Sequence, residues 1–172
     1  MRTMPVLVRS RELRPSLRAA AGLLLALASS HGADARVEVS VGQSWTLLPY
    51  RYTDVGFAEW VGDARPWWKI AWSPALSLGF VASRENTETV RLDENVWVFA
   101  GGARAYLWRD LFFGFQFATT AGKTDALSTP YEFVSSLGWQ GEHFQIMFRH
   151  ISNGDFHEPN HGETMFLVGA AF

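Results

Sequence analysis

The feature that most constrains this chain is a series of short segments in which apolar and polar side chains alternate. In residues 142–153, for example, Phe144, Ile146 and Phe148 fall on one face and Arg149 falls on the other. Successive side chains of a β-strand point to opposite faces, so a period of two predicts strands with one apolar face. We find no helical periodicity, linker or internal repeat.

Eight such segments predict eight strands. Most approach the ~9–11 residues that a tilted strand needs to cross a membrane. They cover residues 36–47, 51–61, 67–83, 95–108, 111–122, 130–140, 142–153 and 163–172. Pro74 lies inside the third segment and cannot donate a ladder hydrogen bond, which predicts a bulge or kink there.

The connections between these segments differ in length in a regular way. Those after strands two, four and six are very short, whereas those after strands three, five and seven are longer and polar. Outer-membrane barrels have short periplasmic turns and longer extracellular loops. Six of the seven connections follow that rule, and the first, around residues 48–50, is ambiguous. A soluble lipocalin-like barrel could also have eight strands, but it needs no such asymmetry. The predicted fold is an eight-stranded antiparallel transmembrane β-barrel of the outer membrane.

Residues 1–35 have the pattern of a secretory signal peptide. Five arginines precede or flank a short apolar run at residues 19–30, and Ala33 and Ala35 supply the small residues of a cleavage site. The apolar run is too short to cross a bilayer. An N-terminal amphipathic helix is the alternative. The prediction leaves residues 36–172 as a single barrel domain, exported to the bacterial outer membrane.

Composition excludes one class of partner and one means of stabilisation. Residues 1–35 contain five of the fifteen Lys/Arg and two of the seventeen Asp/Glu, so residues 36–172 keep ten and fifteen. That acidic balance provides no broad basic surface, so no nucleic-acid partner is expected. The chain has no cysteine, so an exported protein of this size needs a packed core or another device in place of disulfides.

The last predicted strand ends on an aromatic residue. Counting back from Phe172, one face carries Ala170, Val168 and Phe166, all apolar. A terminal aromatic residue after alternating apolar residues resembles the assembly signal of bacterial outer-membrane proteins. We therefore expect the outer-membrane assembly machinery to be a partner that binds through Phe172.

Strand seven contains the candidate catalytic pair. His150 and Ser152 share a face with three large apolar residues, so in a membrane barrel both face lipid, near the extracellular end of the strand. Residues two apart on a strand face are ~6.5–7 Å apart at Cα, which lets a histidine activate a serine nucleophile. Polar groups facing lipid are costly unless they have a function. The alternative is that both residues simply mark where the strand leaves the membrane.

An orienting acid and an oxyanion donor would complete such a site. Glu163 opens strand eight beside His150, and the other candidate acids, Asp155 and Glu158, lie in the loop. Asn160 is the candidate side-chain oxyanion donor.

Main-chain N–H groups near Asn153 and Gly154 could serve the same purpose, while Asn160 and Gly162 could equally be ordinary turn residues. His157 and His161 lack a closely spaced set of further ligands, so we expect no metal ion.

Two motifs carry a resemblance to a known family. The sequence "HISNG" at residues 150–154, followed by "PNHGE" at 159–163 and an aromatic-ended strand, resembles PagL, the lipid A 3-O-deacylase family of outer-membrane enzymes. "WSPALSLGF" at residues 72–80 is similar to the family's proline-containing earlier strand. The resemblance extends over most of the mature chain, but outside the last hairpin it lies in architecture more than in identity.

The resemblance implies a lipid-facing triad of histidine, serine and an acid. Ser152 would be the nucleophile, His150 the general base and acid, and Asn160 an oxyanion donor, while Asn153 matches the asparagine that follows the family's serine. The implied substrate is lipid A of lipopolysaccharide in the outer membrane, from which the ester-linked 3-hydroxyacyl chain at position 3 is hydrolysed without a metal ion or an organic cofactor. The sequence does not decide between a monomer and a homodimer.

One position departs from the family pattern. The family's acid lies two residues beyond the glycine, where this chain has Thr164, whereas Glu163 directly follows Gly162. Strict alternation places Thr164 on the lipid face and Glu163 inside. Either a bulge turns Glu163 outward, or the acid lies elsewhere, or the triad is reduced to a dyad.

Two other functions compete with the lipid A esterase. The same chemistry would suit a less specific outer-membrane phospholipase or acyl-ester hydrolase. A non-catalytic small barrel, with a structural or adhesive function, is the alternative from another class. The modest loops and the lipid-facing His150 and Ser152 favour an enzyme.

Overall fold

A computed structural model describes residues 35–46 and 51–172. The predicted signal peptide, apart from Ala35, lies outside the described residues, as does the connection between the first two strands. Within the described residues, no helix is long and apolar enough to cross a membrane.

Eight long strands and one short strand make up the fold. They are β1 (Arg36–Thr46), β2 (Arg51–Val61), β3 (Arg65–Trp67), β4 (Ile70–Val81), β5 (Val96–Trp108), β6 (Leu111–Ala121), β7 (Tyr131–Gln140), β8 (Phe144–Ser152) and β9 (Glu163–Ala171). The long strands have nine to thirteen residues, which suffices to cross a membrane at a tilt.

The sheet closes on itself. Neighbouring strands are antiparallel in the order β2-β1-β9-β8-β7-β6-β5-β4, and pairing of β2 with β4 joins the two ends. Closure leaves no free edge among the long strands, so the ladder can satisfy their main-chain groups inside a membrane. The predicted eight-stranded antiparallel barrel is confirmed.

The third predicted strand differs in the structure. Residues 67–83 were expected to form one strand, but the chain turns at Trp68 and Lys69 between β3 and β4. Trp68 has a positive φ of 55°. The prediction was too long because the apolar pattern continues through the turn, and the β3–β4 hairpin lengthens what was expected to be a short connection.

The bulge or kink expected at Pro74 does not appear as a register shift in β4, and the interruption lies in the strand opposite. Pro74 pairs with Ala103 of β5 in unbroken register. On its other side, the β2–β4 ladder ends at the pair Val61 and Ala75, and pairing resumes with Arg65 of β3. Gly62 still donates its main-chain N–H to Pro74 O at 2.9 Å, but proline has no N–H to return, and the strand opposite is interrupted between Val61 and Arg65.

A charged network fills part of the barrel interior. Glu59 accepts hydrogen bonds from Arg104, Arg149 and Ser77, with 2.6 Å between its Oε2 and Arg149 Nη2. Arg104 also pairs with Glu38. All five residues are buried. Because each carboxylate faces a guanidinium, these charges can remain inside the barrel.

The outer face of the barrel is largely apolar. Large exposed apolar side chains occur on the long strands, including Val41, Leu76, Phe99, Phe117, Leu137, Phe148 and Val168. A band of this extent on a monomer marks a surface that another apolar phase covers, and on a closed barrel that phase is lipid.

We predict that Glu59→Ala destabilises the barrel by about 3–5 kcal/mol, because it leaves Arg149 without its carboxylate and removes one of the two from Arg104. The measurement is the free energy of unfolding in urea with the protein in lipid vesicles. Glu142→Ala is the control, since the Glu142 side chain is 88% exposed. Equal unfolding midpoints for the two variants would contradict the stabilising function of this network.

Candidate active site

His150 and Ser152 project from the outer face of β8, as alternation predicts. Their neighbours Arg149 and Ile151 are buried inside the barrel, whereas Phe148 is exposed on the outside. His150 itself is exposed and Ser152, the last residue of β8, is partly buried. Both therefore lie on the lipid-facing surface, at the end of the barrel from which the three longer loops emerge.

Thr164 contacts His150 at the position where the family resemblance leads one to expect an acid. The two residues are direct cross-strand partners in the β8–β9 ladder. His150 Nδ1 lies 2.9 Å from Thr164 Oγ1, a hydrogen bond on the outer surface. A hydroxyl can hold the imidazole in one orientation, but it carries no charge to stabilise an imidazolium.

The expectation that Glu163 orients His150 is corrected by the structure. The β8–β9 register has no bulge near the site, and Glu163 pairs with Ile151, whose side chain is also internal. The Glu163 carboxylate forms a buried ion pair with Arg84 and accepts a hydrogen bond from Ser44. Alternation thus points it into the barrel, where a cation neutralises it, and away from the imidazole.

Gly162 leaves room for the imidazole ring. A Cβ at this position would lie 2.8 Å from His150 Cε1 and 3.2 Å from Nε2. Gly162 also has a positive φ of 65°, which disfavours other residues. The ring therefore leans toward β9, with Nδ1 at Thr164 and its Nε2 edge against Gly162.

The described residues show no hydrogen bond between Ser152 and His150. The two side chains share the outer face of β8 two residues apart, at ~6.5–7 Å between Cα atoms. Hydrogen bonds between catalytic groups are often long or absent without substrate and tighten when it binds. The placement meets the first requirement of a base-activated nucleophile.

The candidate oxyanion residues are held within the loop between β8 and β9. Asn153 is fully buried, and its main-chain N–H donates to Asn160 Oδ1 at 3.3 Å. Asn160 Nδ2 donates to Asp155 Oδ1 at 2.9 Å, which uses one of its two N–H bonds. Gly154 follows, exposed and with a φ of 69°. Asn160 thus braces the loop next to Ser152.

Three loops join at this end of the barrel. Asp125 exchanges main-chain and side-chain hydrogen bonds with Arg91, and its carbonyl accepts from His161 N–H at 3.3 Å. Ala126 O accepts from Gly162 N–H at 3.1 Å. These contacts connect loops 82–95, 122–130 and 153–162, and they secure the glycine against which the imidazole packs. Sequence reasoning missed them, because the contacts link segments far apart in the chain.

The remaining polar candidates do not join the site. Glu158 is exposed, and the ring of His157 packs against that of Tyr131, with 6.3 Å between centroids. In the part of the chain that the structure describes, no group of three His, Cys, Asp or Glu side chains is placed to hold a metal ion.

We predict that Gly162→Ala displaces the His150 imidazole, because the added methyl would overlap the ring. The measurement is the NMR signal of the His150 ring together with the free energy of unfolding. Gly154→Ala is the matched control, since it has the same positive φ, and its Cβ would meet Phe133 rather than the histidine. Both variants should lose about 1–2 kcal/mol to backbone strain, but only Gly162→Ala should shift the imidazole signal. An unshifted signal would contradict the close packing.

Comparison with known proteins supports the fold. No protein-family model matches this sequence, and no curated protein matches it. Among solved structures, the barrel is similar to the outer-membrane enzyme PagL, with a TM-score of 0.53 and 15% identity over 80% of this chain and 98% of that one.

Ail, the attachment invasion locus protein of Yersinia pestis, has a TM-score of 0.48 and 11% identity over 81% of this chain and 99% of Ail. Neisserial surface protein A has a TM-score of 0.49 and 6% identity over 80% of this chain and 94% of that one. At 15% identity and a TM-score of 0.53, the likeness to PagL shows the fold. With its apolar exterior, this chain is an eight-stranded barrel of the outer membrane.

Proposed function

We propose that this protein is an outer-membrane serine esterase that hydrolyses the ester-linked 3-hydroxyacyl chain at position 3 of lipid A. The observation that carries the proposal is the pair His150 and Ser152 on the lipid-facing surface, with His150 Nδ1 hydrogen-bonded to Thr164. The sequence likeness of residues 150–163 to the PagL family supports the choice of lipid A.

The position of the pair favours a lipid substrate. The interior of the barrel is filled by packed side chains such as Phe112, Met147 and Arg149, so a substrate cannot approach from within. His150 and Ser152 instead face the bilayer at the extracellular end of the barrel, next to the leaflet that contains lipopolysaccharide. Ser152 is the last residue of β8, a position that suits an ester bond near the headgroup of a lipid in that leaflet.

The chemistry follows from the placement of the groups. His150 donates its Nδ1–H to Thr164 Oγ1, so Nε2 is free to take the proton of Ser152 as Oγ attacks the ester carbonyl. The second N–H of Asn160 and the main-chain N–H of Gly154 stabilise the oxyanion. Collapse of the tetrahedral intermediate breaks the ester C–O bond, and the sugar oxygen leaves as a hydroxyl with the proton from Nε2. Water then attacks the acyl-Ser152 ester as Nε2 takes its proton, and that proton returns to Ser152 Oγ when the 3-hydroxy acid leaves. No metal or organic cofactor takes part in these steps.

A second candidate substrate is favoured by the charge of the loops. Loops 82–95, 122–130 and 153–162 contain seven Asp/Glu against three Lys/Arg. An acidic rim repels the phosphates of lipid A unless divalent cations bridge them, whereas a zwitterionic phospholipid carries no net charge. The second candidate function is therefore phospholipid acyl-ester hydrolysis by the same pair.

We predict that cells expressing the wild-type protein lose one 3-hydroxyacyl group from lipid A, whereas cells expressing Ser152→Ala or His150→Ala keep it. The measurement is mass spectrometry of extracted lipid A and phospholipids. Ser83→Ala and His143→Ala are matched controls at exposed positions away from the pair. Unchanged lipid A beside a correctly inserted wild-type barrel would refute the lipid A proposal, and lysophospholipid in its place would support the second candidate. Full activity of Ser152→Ala would refute the mechanism.

We also predict that Thr164→Val lowers kcat roughly fivefold, because it removes the hydrogen bond that orients His150, which is worth on the order of 1 kcal/mol in the transition state. Thr164→Glu should raise kcat, because a carboxylate stabilises the imidazolium as well as orienting it. The assay is hydrolysis of a soluble ester by protein in detergent micelles. Thr119→Val is the control on the outer face of β6. No effect of either Thr164 variant would contradict an orienting function.

A further inference from the structure

Ser135 lies on the outer surface of the barrel beside His150. Ser135 is the direct partner of His150 across the β7–β8 ladder, on the side opposite Thr164. Its side chain is partly buried. We propose, on the basis of the proposed esterase function, that Ser135 determines substrate specificity by hydrogen-bonding the 3-hydroxyl of the acyl chain that is cleaved at Ser152.

Bulky side chains surround Ser135 on the outer surface. In the ladders, Phe115 is its partner on β6, Phe133 and Leu137 flank it on β7, and Phe148 lies two residues before His150 on β8. The rings of Phe115 and Phe133 are stacked with centroids 6.1 Å apart. The Ser135 side chain is much shorter than these four apolar side chains, and we call the space above it the hollow.

The upper wall of the hollow continues into the loop after β8. The ring of Phe156 lies 6.1 Å from that of Phe133, although the Phe156 side chain is 70% exposed. A Cβ on Gly154 would lie 3.3 Å from Phe133. Phe133 is in turn the cross-strand partner of Ser152. Phe133 and Phe156 therefore form an aromatic surface that begins beside Ser152, the proposed nucleophile.

The other direction away from Ser152 is occupied. The imidazole of His150 leans toward β9, where it contacts Thr164 and Gly162. Further from the extracellular end, the rings of Phe148 and Phe166 lie 5.1 Å apart and cover the outer surface between β8 and β9. An acyl chain attached at Ser152 therefore enters the membrane along β7, through the hollow at Ser135.

The chemistry of the hollow suits a 3-hydroxyacyl chain. Its walls are apolar and carry no charge, which fits a hydrocarbon. The Ser135 hydroxyl has no hydrogen-bond partner among the described residues, and an unpaired hydroxyl facing lipid is costly unless a ligand uses it. Ser135 is the diagonal neighbour of Ser152, ~7–8 Å away between Cα atoms. That gap accommodates the three carbons from the ester carbonyl to the 3-hydroxyl.

The test compares two esters of the same alcohol, one of 3-hydroxydecanoic acid and one of decanoic acid, with full-length protein in micelles. Wild type should hydrolyse the 3-hydroxy ester with the higher kcat/KM. Ser135→Ala should lower that value about threefold to tenfold while leaving the decanoyl ester unchanged, because one neutral hydrogen bond is lost. Ser135→Thr keeps the hydroxyl and should restore the preference, whereas Ser135→Leu should slow both long esters but not an acetyl ester.

The inference would be overturned if Ser135→Ala changed kcat/KM equally for the 3-hydroxydecanoyl and decanoyl esters, or if the wild type did not prefer the 3-hydroxydecanoyl ester. Binding of the same two esters tests this inference independently of the proposed esterase function. In protein that carries Ser152→Ala, native mass spectrometry should retain more 3-hydroxydecanoyl than decanoyl ester, and Ser135→Ala should remove that difference. If the wild type hydrolyses neither ester, the esterase proposal fails, while the binding preference still decides whether Ser135 recognises the hydroxyl.

Discussion

Pairing of Glu59 with Arg104 and Arg149 holds the inner faces of β2, β5 and β8 toward the centre of the barrel. Moving β8 by one residue relative to its neighbours would turn Arg149 into lipid and His150 into the interior, since side chains alternate along a strand. Exposing a guanidinium to hydrocarbon and leaving Glu59 with one fewer cation are both costly. The outward position of the candidate site is therefore a consequence of ion pairs formed inside the barrel.

The same constraint separates the charge of Glu163 from His150. Glu163 and Thr164 are neighbours in sequence, yet they face opposite sides of β9. Inside, Arg84 neutralises the carboxylate, whereas the described residues offer no cation next to the imidazole on the outside. A carboxylate beside His150 would have to stay ionised next to lipid, and a hydroxyl avoids that cost. Thr164 can orient His150, but it carries no negative charge that would stabilise an imidazolium.

The loops serve the site indirectly. Asp125 and Ala126 accept the N–H groups of His161 and Gly162, and Arg84 reaches Glu163 from another loop. Together these contacts fix the start of β9, and with it both Gly162 and Thr164. The precision of the His150 environment therefore depends on segments that contribute no group to the candidate reaction.

The pattern of alternating side chains was sufficient to predict the eight strands, their inner and outer faces, and the outward position of His150 and Ser152. It also placed Thr164 outside and Glu163 inside, because parity is a local property of each strand. Sequence motifs near the end of the chain indicated which residues to examine. The β3–β4 hairpin was missed, because apolar residues such as Trp67 and Trp68 continue through the turn.

Which side chains face each other across strands was decided only by the tertiary structure. The partners of Glu163, the contact between His150 and Gly162, and the pairing of Ser135 with His150 all depend on the register between strands and on contacts between loops. Alternation within one strand carries no information about its neighbour's register, since that is set by closure of the whole barrel and by the ion pairs inside it. By itself the sequence determined which way each side chain points, and the closed barrel decided what it meets.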